Sequence, residues 1–444
     1  KKETIIHSVP TCERSKNPIE IIPMQEIYLK QLPFKEEMLK IAKELEFLPE
    51  FHRQLLINWI NSITKDWPIS RRRYYATEIP IWYCKKCGEP HLPEKGGYYR
   101  PWKDKAPFEK CKKCGYNKFI GEERTFDTWF DSSISPLFIT KFLKDKEFFN
   151  KTYPVTVRPQ GKDIVRTWLY YTLLRCYQIT GKSPFEKAWI TGYCVDEKGE
   201  KMSKSKGNVI DPIPVLEKYG ADAFRFWAAS ESSLGYDFRA SETRFKNSSL
   251  FITKLWNIAR YISQFEYIEN FDENEIENLD KWILGELKRT YEKCIEGYKQ
   301  LNFFIPANEI REFLWNKFAS HYIEVSKRRA YGENFSEKER KAACYTLHKT
   351  FKICLKLLAP IIPFITDYLW RSLYSNESIH KEKFYEDLKF EEFSNLTEKL
   401  IEFNSRVWKI KKERGLSLKD EISIEIPKDL LIFEKDLKAA HNIK

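Results

Sequence analysis

The feature that most restricts the fold of this 444-residue chain is a change of pattern near residue 245. Between residues 121 and 230, short β-branched runs ("VTV" at 155–157, "AWITGYCV" at 188–195) alternate with helix-like runs, "DIVRTWLYYTLLRCYQI" and "PIPVLEKYGADAFRFWAA". Alternation of this kind predicts a parallel α/β sheet with ligand sites at the strand ends. After residue 245 the alternation stops. "SLFITKLWNIARYISQF" sets Leu255, Trp256, Ala259 and Ile262 at helical spacing, and "KWILGELKRTYEKCIEGY" does the same with Ile283, Leu287, Tyr291, Cys294 and Tyr298. Two more helices are predicted over 304–329 and 337–374, which makes a bundle of at least four. Near the end, "EISIEIPKDLLIF" reads as a strand followed by a short tail.

The first 70 residues begin Pro-broken and β-prone, then become helical in "FKEEMLKIAKELEFL" and "FHRQLLINWINSI". Residues 81 to 120 are rich in Lys, Gly, Pro and Cys and lack apolar periodicity, so this insertion is expected to be held by something other than a hydrophobic core. Its two "CKKC" pairs, Cys84 with Cys87 and Cys111 with Cys114, suit a tetrahedral structural Zn2+, and Gly88 and Gly115 allow the tight turn of each knuckle. Four ligands and no open position would make such a metal structural rather than catalytic. A knuckle that has lost its metal and a redox pair are the other readings. His91 reads either as a replacement ligand or, better, as a solvated loop histidine.

The remaining cysteines are scattered, mostly through apolar helical stretches, and are expected to be reduced. The longest apolar runs, such as "LLAPIIPFI" at 357–365, fall far short of the roughly 20 residues that a bilayer requires, so no membrane partner and a cytoplasmic location are expected. A net charge of +12 favours an anionic partner.

Three polar stretches carry the candidate chemistry. In "VRPQGKDIVRTW", 157–168, a β run ends, Gly161 allows close backbone approach, and Asp163 sits in the first turn of a helix as either a cap or a ligand group. In "TFDTWFDSSISP", 125–136, Trp129 is either a core residue or the apolar surface of a pocket whose polar wall is Asp127, Asp131, Ser132 and Ser133. In "ITGYCVDEKGEKMSKSKGNVI" a strand and a tight turn at Gly199 lead into a loop where Lys201 and Lys204 can reach one polyphosphate. A solvated lysine run is the alternative there.

"KMSKS" at 201–205, followed by Gly207 and Asn208, resembles the second signature of the class I aminoacyl-tRNA synthetases, a mobile loop over the ATP phosphates. The resemblance extends over nearly the whole chain. "HSVPTCERSKNPIE" resembles the exit from the editing insertion, "ISRRRYYATEIPIWYC" the approach to the zinc knuckle, "DTWFDSSISP" and "RPQGKDIVRTW" the active-site wall, and "FKNSSLFITKLWNIARY" the entry to the anticodon-binding domain. It implies an α/β fold, the second half of a Rossmann-like parallel sheet with a zinc-knuckle insertion, followed by an all-α helical bundle of anticodon-binding type. The implied divisions are 1–80, end of the editing insertion and connector; 81–120, knuckle; 121–245, catalytic half; 246–380, anticodon-binding helices; and 381–444, C-terminal extension.

Within the class, "DTWF" and "QGKDIVRTW" most resemble the valyl branch of archaeal type. That likeness implies ATP with Mg2+, valine and tRNA(Val) as ligands. It implies that Lys201 and Lys204 stabilise charge on the phosphates and that Met202, Ser203, Ser205 and Asn208 complete the loop. Gln160, Gly161 and Asp163 would contact the aminoacyl adenylate, while Trp129 and Ile164 would form the side-chain slot. An isoleucyl enzyme and a non-catalytic tRNA-binding remnant are the alternatives.

The family's first ATP signature, of His-x-Gly-His type, is absent: no two of the seven histidines lie closer than His321 and His348. The resemblance therefore implies the C-terminal part of a synthetase, from a divided gene or a shortened chain, that works with an N-terminal fragment. For tRNA contact, Trp256, Arg260, Lys327, Arg328 and Arg329 are candidates, each also readable as a solvated helix face.

Overall fold

The computed structural model describes residues 8–12, 15–73, 76–390 and 393–444. The side chain of Ser205 lies outside that description, as do His7, Glu13, Arg14, Tyr74 and Tyr75 of the stretches quoted above. The chain divides into two compact units, Lys1–Trp189 and Ile190–Lys444.

Strand Phe185–Thr191, whose residues up to Trp189 belong to the first unit, lies between Glu46–Leu48 and Val155–Gly161. It pairs with Glu46–Leu48 in parallel, Ala188 opposite Phe47, which gives the parallel pairing expected of this part of the chain but through a strand from outside the alternating stretch. The short strand Glu46–Leu48 interrupts what reads in sequence as the end of a helix: the helix Lys35–Glu44 stops, Phe47 turns into the core, and Glu46 pairs at 2.5 Å with Lys187 across the ladder. Val155–Gly161 is an edge strand of this sheet. It runs into a one-turn Lys162–Ile164, a wide turn Val165–Leu169 and the helix Tyr170–Thr180, whose Leu173, Leu174 and Cys176 are fully buried.

The insertion forms a three-stranded antiparallel sheet with Trp82–Cys84 in the middle, flanked by Pro90–His91 and Phe119–Gly121. Contrary to the expectation from sequence, it has a small aromatic core. Trp82 meets Tyr99 and Phe108 edge-on, and His91 sits against Phe108 and Phe119. Rings supply burial without the periodicity that a sequence pattern detects.

The second unit places two helices, Pro212–Tyr219 and Ala221–Glu231, before the bundle. The bundle helices Glu242–Ile262 and Asn278–Lys299 lie where apolar periodicity predicts them, the run predicted over 304–329 divides into Phe304–Glu312 and Ile323–Tyr331 and that over 337–374 into Glu337–Leu358 and Pro363–Leu373, and Thr397–Glu413 is a further helix outside the predicted runs. Leu255, Trp282, Leu347, Phe351, Phe403 and Leu437 belong to one continuous core, so residues beyond 380 pack into the same interior as the earlier helices. The strand read in "EISIEI" does not form. Ile422 makes a single bridge to Ile443, while Ile422 and Ile426 bury into the helical core. Alternating isoleucines suit a strand only where a partner strand exists.

Three polar ties fix the C-terminal segment. Arg329, fully buried, donates Nη1 and Nη2 to the two oxygens of Asp280, both at 2.7 Å, and Nε to Asp436 at 2.8 Å. This removes Arg329 from the tRNA-contact candidates. Lys411, also fully buried, donates to the carbonyls of Leu418, Asp420 and His441 at 2.7–2.8 Å. Finally, His441 Nε2 donates to Asn404 Oδ1 at 2.7 Å, and Asn404 Nδ2 donates to His321 Nδ1 at 3.2 Å, a chain that requires His321 neutral, since only an unprotonated Nδ1 can accept.

Burial lowers both His321 and His441 to about 4. The unfolded chain therefore binds protons that the folded chain refuses between pH 6.5 and 4, and stability present above pH 6.5 is lost as pH falls toward 4. Each histidine is worth about 2–3 kcal/mol across that window. Burial raises Asp436 to about 6, which acts in the opposite sense between pH 6 and its unfolded value. The net expectation is a urea midpoint that falls between pH 7 and pH 4.5, with a shallower fall in His321→Gln.

Candidate functional site

The lysine stretch folds as two joined turns. Cys194–Val195 pairs in parallel with Phe238–Arg239, and Val195 bridges Lys201 to close a hairpin over Asp196–Glu200 with Gly199 at φ 85°. Just before it, Gly192 approaches the backbone so closely that a Cβ would lie 2.1 Å from the Tyr236 carbonyl oxygen. A second, tighter turn covers Lys204–Lys206. Between the two turns, Met202 packs against the small core of Val215, Trp227, Ala240 and Phe245.

With Met202 turned inward, Lys201 and Lys204 are exposed. The Lys201 ammonium rests 4.2 Å from the Tyr193 ring centroid, and Tyr193 is positioned by a 2.7 Å bond from its N–H to Asp237. Lys206 differs: it pairs with Glu200 at 3.1 Å.

Asp196 and Asn208 were not conspicuous as a pair in the sequence, yet they tie the loop together. Asp196 Oδ1 accepts from the N–H groups of Lys198 at 3.0 Å and Glu200 at 2.8 Å, and its Oδ2 accepts from Asn208 Nδ2 at 2.9 Å. Asn208 Oδ1 accepts from the Ser203 N–H at 2.9 Å. The Asn208 amide, followed by the Glu200 N–H, holds the Asp196 carboxyl below the usual carboxylate range.

In the first unit, the polar stretches take distinct roles. Asp127 is buried: it accepts from Trp129 N–H at 3.2 Å as the helix cap, from Trp67 Nε1 at 3.1 Å and from Arg71 at 2.6 Å. It is an anchor rather than a pocket wall. The short helix that it caps, Thr128–Ser132, carries Trp129 half-buried, and Ser132 accepts from Trp168 Nε1 at 3.3 Å. Asp163 is exposed, and the turn that contains it has no side-chain cap, so the capping reading falls away. Gly161 and Ile164 are half-buried.

Gln160 is 6% exposed, and neither its amide oxygen nor its amide nitrogen has a hydrogen-bond partner among the described residues. Two residues earlier on the same strand face, Arg158 is equally buried. It stacks 3.2 Å from the Trp168 ring centroid and donates Nη1 to Ser135, with Nε and Nη2 unpaired among the described residues. Burial lowers it to about 10. Spare polar atoms on buried side chains are completed by water, an ion or a ligand.

The four knuckle thiols converge. Their sulfurs lie within 4.8 Å of one another, with Cys84–Cys114 and Cys87–Cys111 each at 3.6 Å. A tetrahedral ion with 2.3 Å bonds to sulfur needs sulfurs about 3.8 Å apart, so the set fits a metal. Gly88 and Gly115 both have φ 72°, as the knuckle reading requires. In Cys84 the upward push of burial is outweighed by the N–H groups of Cys87 and Lys86 and by neighbouring thiols, bringing it to about 7. In Cys87 the Glu89 N–H pulls down, but burial and the crowding thiols push it up to about 12. Thiols so close cannot all ionise without a cation among them. His91 is 4% exposed with Nε2 3.4 Å from Cys111 Sγ, neither a solvated loop residue nor one of the four ligands. Pairing opposite Trp82 turns it inward, a consequence of strand register rather than of any local motif.

On the helical unit, Trp256 is 43% exposed and stacks on Tyr368, with centroids 5.7 Å apart. Arg260 is exposed, Lys327 pairs with Glu324 at 3.6 Å and Arg328 with Glu333 at 3.9 Å.

Comparisons with known proteins agree with this layout. The family of tRNA synthetases class I (I, L, M and V) matches residues 17–241, and the anticodon-binding domain of tRNA ligase matches residues 280–426. The valine–tRNA ligase of Nanoarchaeum equitans is 49% identical over 100% of this chain and 58% of its own length. That of Aeropyrum pernix is 44% identical over 99% of this chain and 55% of its own. The chain thus spans about half the length of the curated relatives it matches. Among solved structures, the methionyl-tRNA synthetase of Mycobacterium tuberculosis in complex with methionyl-adenylate matches 84% of this chain and 68% of its own at a TM-score of 0.63 and 18% identity, a likeness of fold. No helix among the described residues is long and apolar enough to cross a membrane.

Proposed function

The chain belongs to the class I tRNA synthetases, and on that premise we propose that it supplies part of a site that activates valine with ATP and charges tRNA(Val). The observation that carries this reading is the lysine loop, with Lys201 and Lys204 exposed on a backbone fixed by Met202, Asp196 and Asn208. In activation, a valine carboxylate oxygen attacks the α-phosphorus of ATP, forming one O–P bond. The bond to the bridging oxygen breaks and pyrophosphate leaves. Lys201 and Lys204 then act on the charge that grows on the departing phosphates. Mg2+ bound with ATP would neutralise part of that charge. In transfer, a tRNA hydroxyl takes the acyl group, losing its proton, and AMP leaves.

Gln160, with both amide atoms free of partners, Gly161 and exposed Asp163 are assigned to the adenylate, and Trp129 with Ile164 to the valine side chain. Met202, Ser203, Ser205 and Asn208 are assigned to the ATP-binding loop alongside the two lysines. The missing first ATP signature is assigned to a further polypeptide segment, joined to this chain or separate. The edge strand Val155–Gly161, with the unpaired atoms of Arg158 and Gln160, supports the need for such a segment.

The test is valine-dependent pyrophosphate exchange. This chain alone is expected to show none, and addition of the segment carrying the first signature is expected to produce it. Exchange with isoleucine and not valine would overturn the valine assignment.

Zn2+ is assigned to Cys84, Cys87, Cys111 and Cys114, where it holds the knuckle shape. The expected result is one zinc per chain by atomic emission. Mercurial release of the metal is expected to open 81–121 to proteases, since structural zinc sites contribute folding energy directly. Protection unchanged after metal release would sink this assignment.

A further inference from the structure

We propose that Asp196 is a positioning residue for the lysine loop, acting through Asn208 to fix where Lys201 and Lys204 are presented. The inference rests on the loop's role in activation proposed above, but its geometry stands independently. Asn208 ties the two turns of the loop through fixed amide geometry: its Oδ1 takes the Ser203 N–H ahead of the second turn, and its Nδ2 reaches Asp196 at the base of the first, whereas the other tie, Lys206 to Glu200, is an exposed ion pair. Asp196 in turn takes the N–H groups of Lys198 and Glu200.

The direction of every bond in this relay is fixed. Three backbone N–H groups can only donate, so each must meet an oxygen. That leaves the Asn208 nitrogen facing Asp196, which must present an oxygen there as well. Only a carboxylate at 196 offers oxygens on both sides, and only an amide at 208 offers an oxygen to Ser203 and a donor to Asp196. The two side chains are therefore not interchangeable with their isosteres one at a time.

In D196N the introduced amide must keep its oxygen on the Lys198 and Glu200 N–H groups, so two nitrogens meet at the junction. Turning Asn208 over moves the clash to the Ser203 N–H. In N208D two carboxylates face each other. In the double exchange D196N/N208D the introduced amide donates to the introduced carboxylate, which still accepts from Ser203, and the relay closes again with reversed polarity, short only of the long 3.4 Å bond that Asn208 Nδ2 gives the Lys201 carbonyl. Met202 remains seated in all three, since its packing does not involve the relay.

The first measurement uses the chain as it is. Lys198, Lys201, Lys204 and Lys206 are tryptic sites inside the loop, so the cleavage rate there reads how often the loop opens. Loss of one hydrogen bond to a charged group predicts about a 10-fold faster cleavage in D196N and in N208D, and a rate close to that of the unaltered chain in D196N/N208D. The second measurement uses the enzyme completed with the segment carrying the first signature: D196N is expected to lower kcat of valine-dependent exchange about 10-fold with KM for valine unchanged, and the double exchange to recover most of it. Equal cleavage in D196N and the unaltered chain, or a double exchange no better than N208D alone, would overturn the proposal. If the unaltered completed enzyme shows no exchange, the activation reading fails while the cleavage measurement still decides whether Asp196 positions the loop.

Discussion

Lys204→Ala is expected to lower kcat for valine-dependent pyrophosphate exchange by the completed enzyme about 100-fold or more, the usual cost of removing one preorganised donor from a developing charge. The valine KM is expected to hold, because the amino acid is bound before the phosphates separate. The structure supplies an internal control. Lys206 lies two residues further on in the same turn, but its ammonium is already paired with Glu200. Lys206→Ala is therefore expected to change kcat less than about 3-fold, in line with the small worth of exposed ion pairs. If both substitutions had equal effects, the loop would be acting through net charge rather than through a placed ammonium, and the assignment of Lys204 would fall.

The second large effect concerns stability. Arg329→Ala is expected to cost the helical unit about 3–5 kcal/mol, read as a lower urea midpoint by far-UV circular dichroism. Arg329 holds Asp280 through two bonds and Asp436 through one, all out of solvent, and Tyr322 adds a 2.6 Å bond to Asp280. Removing the guanidinium leaves two buried carboxylates without a counter-charge, the costliest way to break such a group. Replacing Lys327 or Arg328 by Ala is expected to shift the midpoint little, since both form only partly exposed pairs. Three consecutive basic residues thus separate into one interior keystone and two surface charges.

That separation indicates what the sequence conveys and what it withholds. Helical spacing announces the bundle, and the cysteine pairs and the lysine motif stand in short contiguous stretches whose chemistry is local. Arg329 is different, because its partners Asp280 and Asp436 come from distant helices and nothing in "SKRRA" marks the third base as the buried one. His91 is hidden for the same reason: a strand register opposite Trp82, not a neighbour in sequence, takes it out of solvent. "EISIEI" misleads in the reverse direction, since its alternation is real but its isoleucines are absorbed by helices. Within the candidate site, Lys201 and Lys204 are legible as residue types at a spacing. The Asp196 to Asn208 tie is not, because it depends on two turns folding back on each other.

Lys411 has a practical consequence for following this molecule by chemistry. All three of its ammonium hydrogens are committed to backbone carbonyls in a fully buried position, whereas Lys201 and Lys204 face solvent. Under an amine-acylating reagent, mass spectrometry would find the loop lysines modified early and Lys411 silent. Its first labelling would then time the release of the C-terminal helix, giving each sample its own zero against which shielding of the loop by a nucleotide can be read.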